Sequence, residues 1–320
     1  MLYPIKLQAT LKDYIWGGTK LKAEYNKETT LTKVAESWEL SCHKDGQSII
    51  VNGEAAGMTL YQYIAMNEVH VLGSHGDRYS YFPLLIKLID AAENLSIQVH
   101  PDDEYAFREA GEYGKTELWY VLDCEPDAKL IYGFNRDITK DEFRQRIADN
   151  TLLEVCNQLP VKKGDTFFIG SGTLHSIGGG IMLAEIQQNS NTSYRVYDYD
   201  RLDKTGKPRQ LHIDRATEVT KFEKMPIAAS SQTMRFFSDF DMKVLSECEF
   251  FKVYHFDLHG RCHMNAGRES FHSILVLDGL MEMETSGDNY ILEKGDSYFI
   301  PAYFGEYWLR GNGSFILSMV

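Results

Sequence analysis

The chain has 320 residues, of which 43% are hydrophobic and 25% are charged, so it can form one large or two ordinary globular domains with a sizeable core. Its formal net charge of −13 argues against the clustered basic surface that binds nucleic acid or an anionic membrane. The sequence contains no apolar run long enough for a membrane span and no signal peptide, and its five scattered cysteines fit a reducing cytoplasm. We therefore expect a cytoplasmic protein that acts on a small molecule.

The first ninety residues are predicted to form short strands and one helix. Residues 35–41, AESWELS, have the pattern of a strand, and Thr59 is placed to begin a helix. Residues 81–91, YFPLLIKLIDA, form a nearly continuous apolar run, which is typical of a strand buried on both faces. Lys87 interrupts this run, and it is either a paired, snorkelling lysine or one that faces a substrate.

Residues 95–103, LSIQVHPDD, are predicted to be a strand that ends in a turn. The two-residue period places Ser96, Gln98 and His100 on one face of this strand. Pro101 ends the strand because it has no N–H to donate to the ladder. Neighbouring imidazole and amide groups could form half of a metal site. A lone histidine at a strand end is more often a simple hydrogen-bonded residue, so the prediction depends on ligands from elsewhere.

The middle of the chain combines helices with an aromatic strand. A short helix is predicted at 103–110 and is followed by the strand LWYVLD. Two capping-box patterns, TKDE from Thr139 and TLLE from Thr151, predict two further helices. Residues 222–240 show little periodicity and are predicted to link this part to an all-β end.

The sequence also contains an internal repeat. Residues 161–177, VKKGDTFFIGSGTLHSI, are echoed by residues 292–308, LEKGDSYFIPAYFGEYW, at an offset of 131. Upstream, residues 121–123 are echoed by residues 276–278 at an offset of 155. The difference of 24 residues is about the length of the two capping-box helices, which are therefore an insertion near 136–158 in the first copy.

The repeat predicts a mainly β protein made of two jelly-roll barrels of the cupin type. The first, residues 1–235, is predicted to be the metal-bearing catalytic barrel with the small helical insertion, and the second, residues 236–320, a degenerate copy. The histidines of the second copy have no partner carboxylate at a comparable spacing, so we interpret them as surface or packing residues. They are His255, His259, His263 and His272.

The first copy contains a complete candidate ligand set, Gln98, His100, Glu117 and His175. Two imidazoles, one carboxylate and one amide oxygen suit Zn²⁺, and they also suit Fe²⁺, Mn²⁺ or Co²⁺. Two histidines and one carboxylate also occur in non-haem iron oxygenases. Spacing alone leaves both kinds of site open.

Several segments together resemble the type I mannose-6-phosphate isomerase family in its shorter bacterial form. They are LSIQVHPDDEYA, the K-T-E step before LWYVLD, SGTLHSIGGG and NSNTSYRVYDYDR, and the similarity extends from AESWEL through the second barrel. The resemblance implies one Zn²⁺ per chain, held by Gln98, His100, Glu117 and His175, with Arg195 as the active-site arginine. It also implies interconversion of mannose 6-phosphate and fructose 6-phosphate through an enediol(ate). Longer members have a larger helical domain, so substrate-closing elements from that region cannot be transferred.

Further roles follow from this resemblance. Lys115 shares a strand face with the predicted glutamate ligand and is a candidate for charge stabilisation or proton transfer. The general base stays open between Lys115, a zinc-bound water and a carboxylate such as Asp198. Ser96, Lys87 and Arg201 are the predicted substrate contacts, the last two for the phosphate group.

The expected partner is a small-molecule sugar phosphate, with no nucleic acid and no membrane, and the protein is expected to be a monomer or a weak homodimer. Two alternatives remain, a non-catalytic sugar-phosphate-binding or sensor protein and a non-haem iron cupin oxygenase. Gln98 counts against the oxygenase because a fourth ligand would occupy the position that oxygen needs. The complete residue set, with Arg195, counts against the sensor because a binding protein does not need all of it.

Overall fold

The computed structural model describes residues 2–67, 70–203, 205–226 and 233–320, and in these ranges the protein is mainly β, as predicted. The strands of the first half are β1 Ile5–Gln8, β2 Thr10–Lys12, β3 Glu36–Leu40, β4 Cys42–His43, β5 Gly46–Gln47, β6 Ile49–Ile50, β7 Leu84–Ala91, β8 Ile97–Val99, β9 Glu117–Cys124, β10 Lys129–Phe134, β11 Cys156–Pro160, β12 Thr166–Ile169, β13 His175–Ser176, β14 Ile181–Gln188 and β15 Tyr194–Tyr197. Those of the second half, residues 233–320, are β16 Met234–Phe236, β17 Phe240–Glu247, β18 Lys252–Ala266, β19 His272–Glu284, β20 Asn289–Glu293, β21 Ser297–Ile300 and β22 Gly305–Met319.

The described helices are short, and all of them lie in the first half, which here means the residues up to 226. They are α1 Lys20–Glu24, α2 Leu60–Met66, α3 Asp103–Ala110, α4 Lys140–Ala148 and α5 Ile213–Val219, with 3₁₀ turns at Gly76–Arg78 and Leu152–Val155. Within the described ranges, none of the helices has the length and apolar character needed to cross a membrane.

Three of the described helices, α2, α3 and α4, begin at a side-chain cap. Thr59 caps α2 in a reciprocal capping box with Gln62. Asp102 caps α3, and Gly111 ends it in the left-handed conformation, at φ 66°, where glycine carries no steric penalty. The predicted start of α4 is also confirmed, because the Thr139 hydroxyl accepts the third N–H of that helix.

The helical insertion is smaller than its two capping-box patterns predict. The Glu142 carboxylate does not reach back to the helix start; it binds Arg136 and Arg146 instead. The prediction of a second helix is wrong, because the Thr151 side chain does not cap a helix and only a single 3₁₀ turn follows it. The insertion therefore contains one α-helix and one short turn.

Two facing sheets form the first barrel. One has the strand order β12-β9-β14-β7-β3-β2 and the other β11-β10-β13-β8-β15. Apolar side chains from both sheets form one buried cluster between them, including Trp119 and Leu183 from the first sheet and Leu130 from the second. The polar site described below lies between the same two sheets.

The central strands of the first sheet are buried on both faces, as predicted for the apolar run at 81–91. Every residue of β7 is buried, and so is every residue of β14. Leu84, Ile86 and Leu88 pack in one cluster with Phe299 and Ile316 of the second half. Because side chains alternate along a strand, the residues between them face the interior of the first barrel.

The second half contributes one long sheet, with the order β16-β17-β18-β22-β19-β21-β1-β6 and with β20 paired to β19. The strand β1 therefore belongs to this sheet, and its Leu7 lies opposite Ser297. The division into units at 235/236 stays a prediction. Residues 227–232 of the predicted link lie outside the described residues.

The register confirms the internal repeat. Glu117 pairs with the last residue of β12, and His272 pairs with the last residue of β21, so these two positions are equivalent. The Gly-Asp turn is also repeated, since the N–H groups of Gly164 and Gly295 donate to corresponding carbonyls at 2.8 and 2.9 Å. The position of the predicted ligand Glu117 in one unit is thus occupied by His272 in the other.

Candidate functional site

Three of the predicted ligands meet between the two sheets of the first barrel. His175 Nε2 lies 3.3 Å from Glu117 Oε1, and His100 Nε2 lies 3.6 Å from Glu117 Oε2. One ligand atom from each residue lies within 4.8 Å of the others, and no other such group of three occurs in the described part of the chain. All three side chains are at most 1% exposed.

The two imidazoles are held by backbone carbonyls. His175 Nδ1 lies 2.8 Å from the Thr173 carbonyl, and His100 Nδ1 lies 3.1 Å from the Thr192 carbonyl. A carbonyl only accepts, so each Nδ1 is assigned the proton and each Nε2 is left as an acceptor. Metal-binding histidines are commonly oriented in this way, with the N–H that does not face the metal donating to a backbone carbonyl.

The electrostatics of the cluster suit a divalent cation. Burial lowers the pKa of His175 to about 4 and that of His100 well below its usual value, so both rings are neutral near pH 7. Burial, reinforced by Glu185, raises the pKa of Glu117 to about 7, against the opposing effect of Lys115. Glu117 Oε1 and His175 Nε2 have no hydrogen-bond partner among the described residues. Two acceptors 3.3 Å apart repel each other unless a cation or a proton lies between them, so the residues fit a metal ion.

Gln98 and Arg195 lie beside this cluster on the second sheet. Gln98 of β8 is directly opposite His175 on one side and Arg195 on the other. Directly paired residues of neighbouring strands point to the same face of a sheet, so these three side chains share the barrel interior. The Nε of Arg195 donates to Ser96 Oγ at 3.2 Å, and its Nη1 donates to the Gln210 carbonyl at 2.9 Å.

A cavity of about 240 Å³ opens beside the cluster. Most of the predicted polar residues line it: Lys87, Ser96, Gln98, Lys115 and Arg195. A larger cavity, about 500 Å³, is lined by His75 and by residues of the second half, but it has no cluster of possible metal ligands among the described residues. The chemistry of the lining therefore identifies the smaller cavity as the candidate site.

A row of paired residues crosses the first sheet on the cavity side. Trp38, Lys87, Glu185 and Trp119 are successive partners in the β3-β7-β14-β9 register. Lys87 Nζ lies 2.9 Å from Glu185 Oε1, and Trp119 Nε1 donates to Glu185 Oε2 at 3.0 Å. Burial alone would lower the pKa of Lys87, but the carboxylates of Glu185 and Glu36 raise it, so the ammonium is retained. Lys87 is thus both paired and cavity-lining.

Lys115 connects this row to the metal-ligand cluster. Its Nζ lies 2.7 Å from Glu117 Oε2, 3.1 Å from His100 Nε2 and 3.9 Å from Glu185 Oε1. Burial raises the pKa of Glu185, but Lys115 and Lys87 more than offset this and hold it at about 2. The cavity therefore presents the ammonium groups of Lys87 and Lys115 beside the ionised carboxylate of Glu185.

The predicted phosphate contact Arg201 lies apart from the cavity lining. Its Nη2 is 2.6 Å from Asp198 Oδ1, while the Nε of Arg209 donates to Asp198 Oδ2, also at 2.6 Å. Of these two arginines, Arg209 lines the cavity. Asp198 was also a candidate base, but both of its oxygens accept guanidinium hydrogen bonds, and these outweigh burial and lower its pKa. That makes it a poor proton acceptor.

Three charged cavity residues were missed in the sequence: Glu36, Glu185 and Arg209. Glu185 carried a usable signal, because it interrupts the apolar strand IMLAEIQQ much as Lys87 interrupts its own strand. The signal from Arg209 was weak, since a loop with several cations gives no indication of which one turns inward.

The histidines of the second half are packing or surface residues, as predicted. His272 is buried and its Nδ1 lies 2.8 Å from the Tyr307 hydroxyl, and His255 stacks on Tyr120 with 5.0 Å between ring centroids. His259 and His263 are exposed. No group of three possible ligands occurs there within the described ranges.

Two family models match the chain. Residues 5–117 match a model described as the catalytic domain of type I phosphomannose isomerase, and residues 241–320 match the mannose-6-phosphate isomerase cupin domain. The first match includes the segment that carries Gln98, His100 and Glu117.

Curated and solved relatives agree with these models over nearly the whole chain. The chain is 39% identical to the mannose-6-phosphate isomerase ManA of Bacillus subtilis, covering 98% of each sequence. It is 38% identical to the probable mannose-6-phosphate isomerase GmuF of the same species, covering 99% of each. The crystal structure of a mannose 6-phosphate isomerase from Bacillus subtilis superposes with a TM-score of 0.92 at 34% identity, covering 99% of both chains.

Proposed function

Because the chain belongs to the type I mannose-6-phosphate isomerase family, we propose that it interconverts mannose 6-phosphate and fructose 6-phosphate with one Zn²⁺ per chain. The family resemblance predicted from the sequence motifs is confirmed, and the protein is an aldose–ketose isomerase. The observation that carries the proposed mechanism is the buried cluster of His100, Glu117 and His175, with its unsatisfied acceptor atoms. The same cluster alone would also suit the oxygenase, but the family match and Gln98 as a fourth ligand favour the isomerase.

The proposed metal ligands are His100, Glu117 and His175, with Gln98 as the fourth. Two neutral imidazoles and a carboxylate are donors that Zn²⁺ accepts readily. When bound, Zn²⁺ would supply Lewis acidity toward the substrate oxygens. The Thr173 and Thr192 carbonyls support this assignment, because they orient the two rings so that each Nε2 points into the cluster.

The cationic residues of the cavity suit an enediol(ate) reaction. In the direction of fructose 6-phosphate, a proton leaves C2, a proton is added at C1, and the hydroxyl proton on O2 moves to O1. Negative charge develops on the substrate oxygens, and preorganised cations stabilise it in a site that excludes water. We assign Arg195 and Lys87 to this stabilisation. We assign Lys115 to proton transfer, since its ammonium is buried at the boundary between the cluster and the cavity.

We propose Arg209, with Ser96, as the phosphate-binding group. Replacing Arg209 by glutamine should raise KM for mannose 6-phosphate about 10–100-fold, which is the usual loss of affinity when a charge-assisted hydrogen bond is removed. The effect on kcat should be smaller. Steady-state kinetics with mannose 6-phosphate measure this split.

Arg201→Gln is the matched control, because Arg201 bonds the same Asp198 carboxylate without lining the cavity. Its KM should stay within about threefold of the parent value. A larger KM effect at Arg201 than at Arg209 would restore the sequence-based assignment and reject ours.

Removal of the metal tests the proposed function directly. After chelation and gel filtration, turnover of mannose 6-phosphate in a coupled assay should fall by at least about 10³-fold, because a Lewis acid contributes several kcal/mol to such a barrier. Addition of one equivalent of Zn²⁺ should restore it. Full activity in protein shown by elemental analysis to be metal-free would contradict the proposal, and so would turnover that requires oxygen.

The remaining assignments are also proposals. A cytoplasmic location is supported by the five free cysteines and by the phosphorylated substrate. A small-molecule substrate, without nucleic acid, agrees with the net charge of −13. The monomeric or weakly dimeric state stays a prediction.

A further inference from the structure

Glu112 binds a loop that reaches the candidate metal centre. The loop, residues 189–193, joins β14 to β15. Glu112 Oε2 accepts the Asn191 N–H and the Thr192 hydroxyl, each at 3.1 Å, and lies 3.4 Å from the Ser190 hydroxyl. Three consecutive residues of the loop are therefore held by one carboxylate oxygen.

The other oxygen of the same carboxylate is held from the opposite side. Glu112 Oε1 lies 2.8 Å from Lys44 Nζ and 3.4 Å from His43 Nε2. His43 Nδ1 accepts the Asp45 N–H at 3.1 Å, so the proton of this ring is assigned to Nε2, facing Glu112. The Glu112 side chain is only 13% exposed, and the neighbouring His43 and Lys44 lower its pKa. It is an ionised, well-anchored group.

The loop in turn holds a proposed zinc ligand. The carbonyl of Thr192, whose hydroxyl Glu112 binds, lies 3.1 Å from His100 Nδ1. Glu112 also follows α3, which begins three residues after His100, so only 12 residues of chain separate Glu112 from this ligand. Two neighbouring loop residues, Asn191 and Ser193, line the active-site cavity.

We propose that Glu112 is a positioning residue of the zinc site: it fixes the 189–193 loop, and the Thr192 carbonyl of that loop fixes the imidazole of His100. This inference rests on the proposed metal site. Partners of metal-binding histidines typically change metal affinity by 10–100-fold when removed. Glu112 acts one step further out, through the loop, and it reaches no substrate atom itself.

The test is zinc affinity, measured by chelator competition on the full chain. Glu112→Ala should raise the zinc Kd about tenfold or more, and it should shift the visible absorption of the Co²⁺-substituted protein, because the histidine is no longer held in one orientation. Saturating zinc should restore most of the isomerase activity. A role in stability alone would lower the melting temperature without changing the Co²⁺ spectrum.

Glu142→Ala is the control, because Glu142 also binds two basic side chains but lies on α4, in the helical insertion. Its zinc Kd should equal that of the parent. If Glu112→Ala does not fold, Glu112→Gln carries the test, with an expected rise in the zinc Kd of several-fold because the amide oxygen still accepts the Asn191 N–H. A folded Glu112 variant with a parental zinc Kd and Co²⁺ spectrum would overturn the inference. A parent chain that binds no zinc would overturn the proposed metal site itself, and the inference with it.

Discussion

Replacing His175 by alanine should remove most of the bound zinc and lower the turnover number by at least about 10³-fold, because the substitution deletes one ligand and with it the Lewis acid. His175 Nε2 has no hydrogen-bond partner among the described residues and faces Glu117 Oε1 across 3.3 Å. The ring therefore has no structural role at that nitrogen. Elemental analysis after gel filtration and the coupled isomerase assay measure the two effects.

The second half of the chain should remain folded in this variant, because one of its two apolar clusters, which includes Phe256, Tyr307 and Leu309, is formed by side chains of that half alone. His259→Ala, at an exposed histidine of that half, is the control and should keep parental zinc content and turnover. His175→Gln keeps more of the side-chain volume and guards against a simple packing defect. Stoichiometric zinc together with parental kcat in His175→Ala would remove this residue from the ligand set.

Arg195→Ala should retain zinc and lose about 10²–10³-fold in kcat, the usual loss when one preorganised group that stabilises developing charge is deleted. Arg195 lies directly opposite Gln98, lines the cavity and is held by Ser96, and its side chain bonds to Ser96 and the Gln210 carbonyl instead of to the three buried ligands. Its effect should therefore fall on turnover and leave metal content unchanged. Steady-state kinetics and elemental analysis on the same preparation separate the two.

Two further variants make this result specific. Arg195→Lys should recover part of the lost kcat, because lysine keeps the charge but not the planar guanidinium that binds two partners at once. Arg144→Ala removes an exposed arginine whose partner is Asp214, and it should behave as the parent. An unaltered kcat in Arg195→Ala would exclude this arginine from the active site.

Much of the fold could be predicted because the relevant signals are local. The apolar run around Lys87 indicates a strand buried on both faces, and β7 is such a strand. The alternation in LSIQVHPDD placed Gln98 and His100 on one face, and the repeat indicated that Glu117 and His175 belong to the same unit. Period and repeat depend only on neighbours in sequence, so one chain is enough to detect them.

The parts that were missed depend on contacts between distant segments. Glu185 and Lys87 lie 98 residues apart and meet only through the register of β7 and β14. Sequence spacing does not reveal that register. Likewise, Arg201 and Arg209 bind one carboxylate from the same loop region, and only the path of the loop decides which of them lines the cavity.

Pairing of β1 with β21 sets an order for synthesis and folding. Leu7 lies opposite Ser297, so the two strands are separated by 290 residues. At about 5–20 residues per second, β1 waits roughly 15–60 s on a ribosome before its partner is made. Its other edge pairs with the nearby β6, but the N–H and C=O groups on the edge that faces β21 stay unpaired during that time and can attract other chains. Closure of this sheet is therefore among the last steps of folding, and crowded expression or premature termination should favour aggregation through β1.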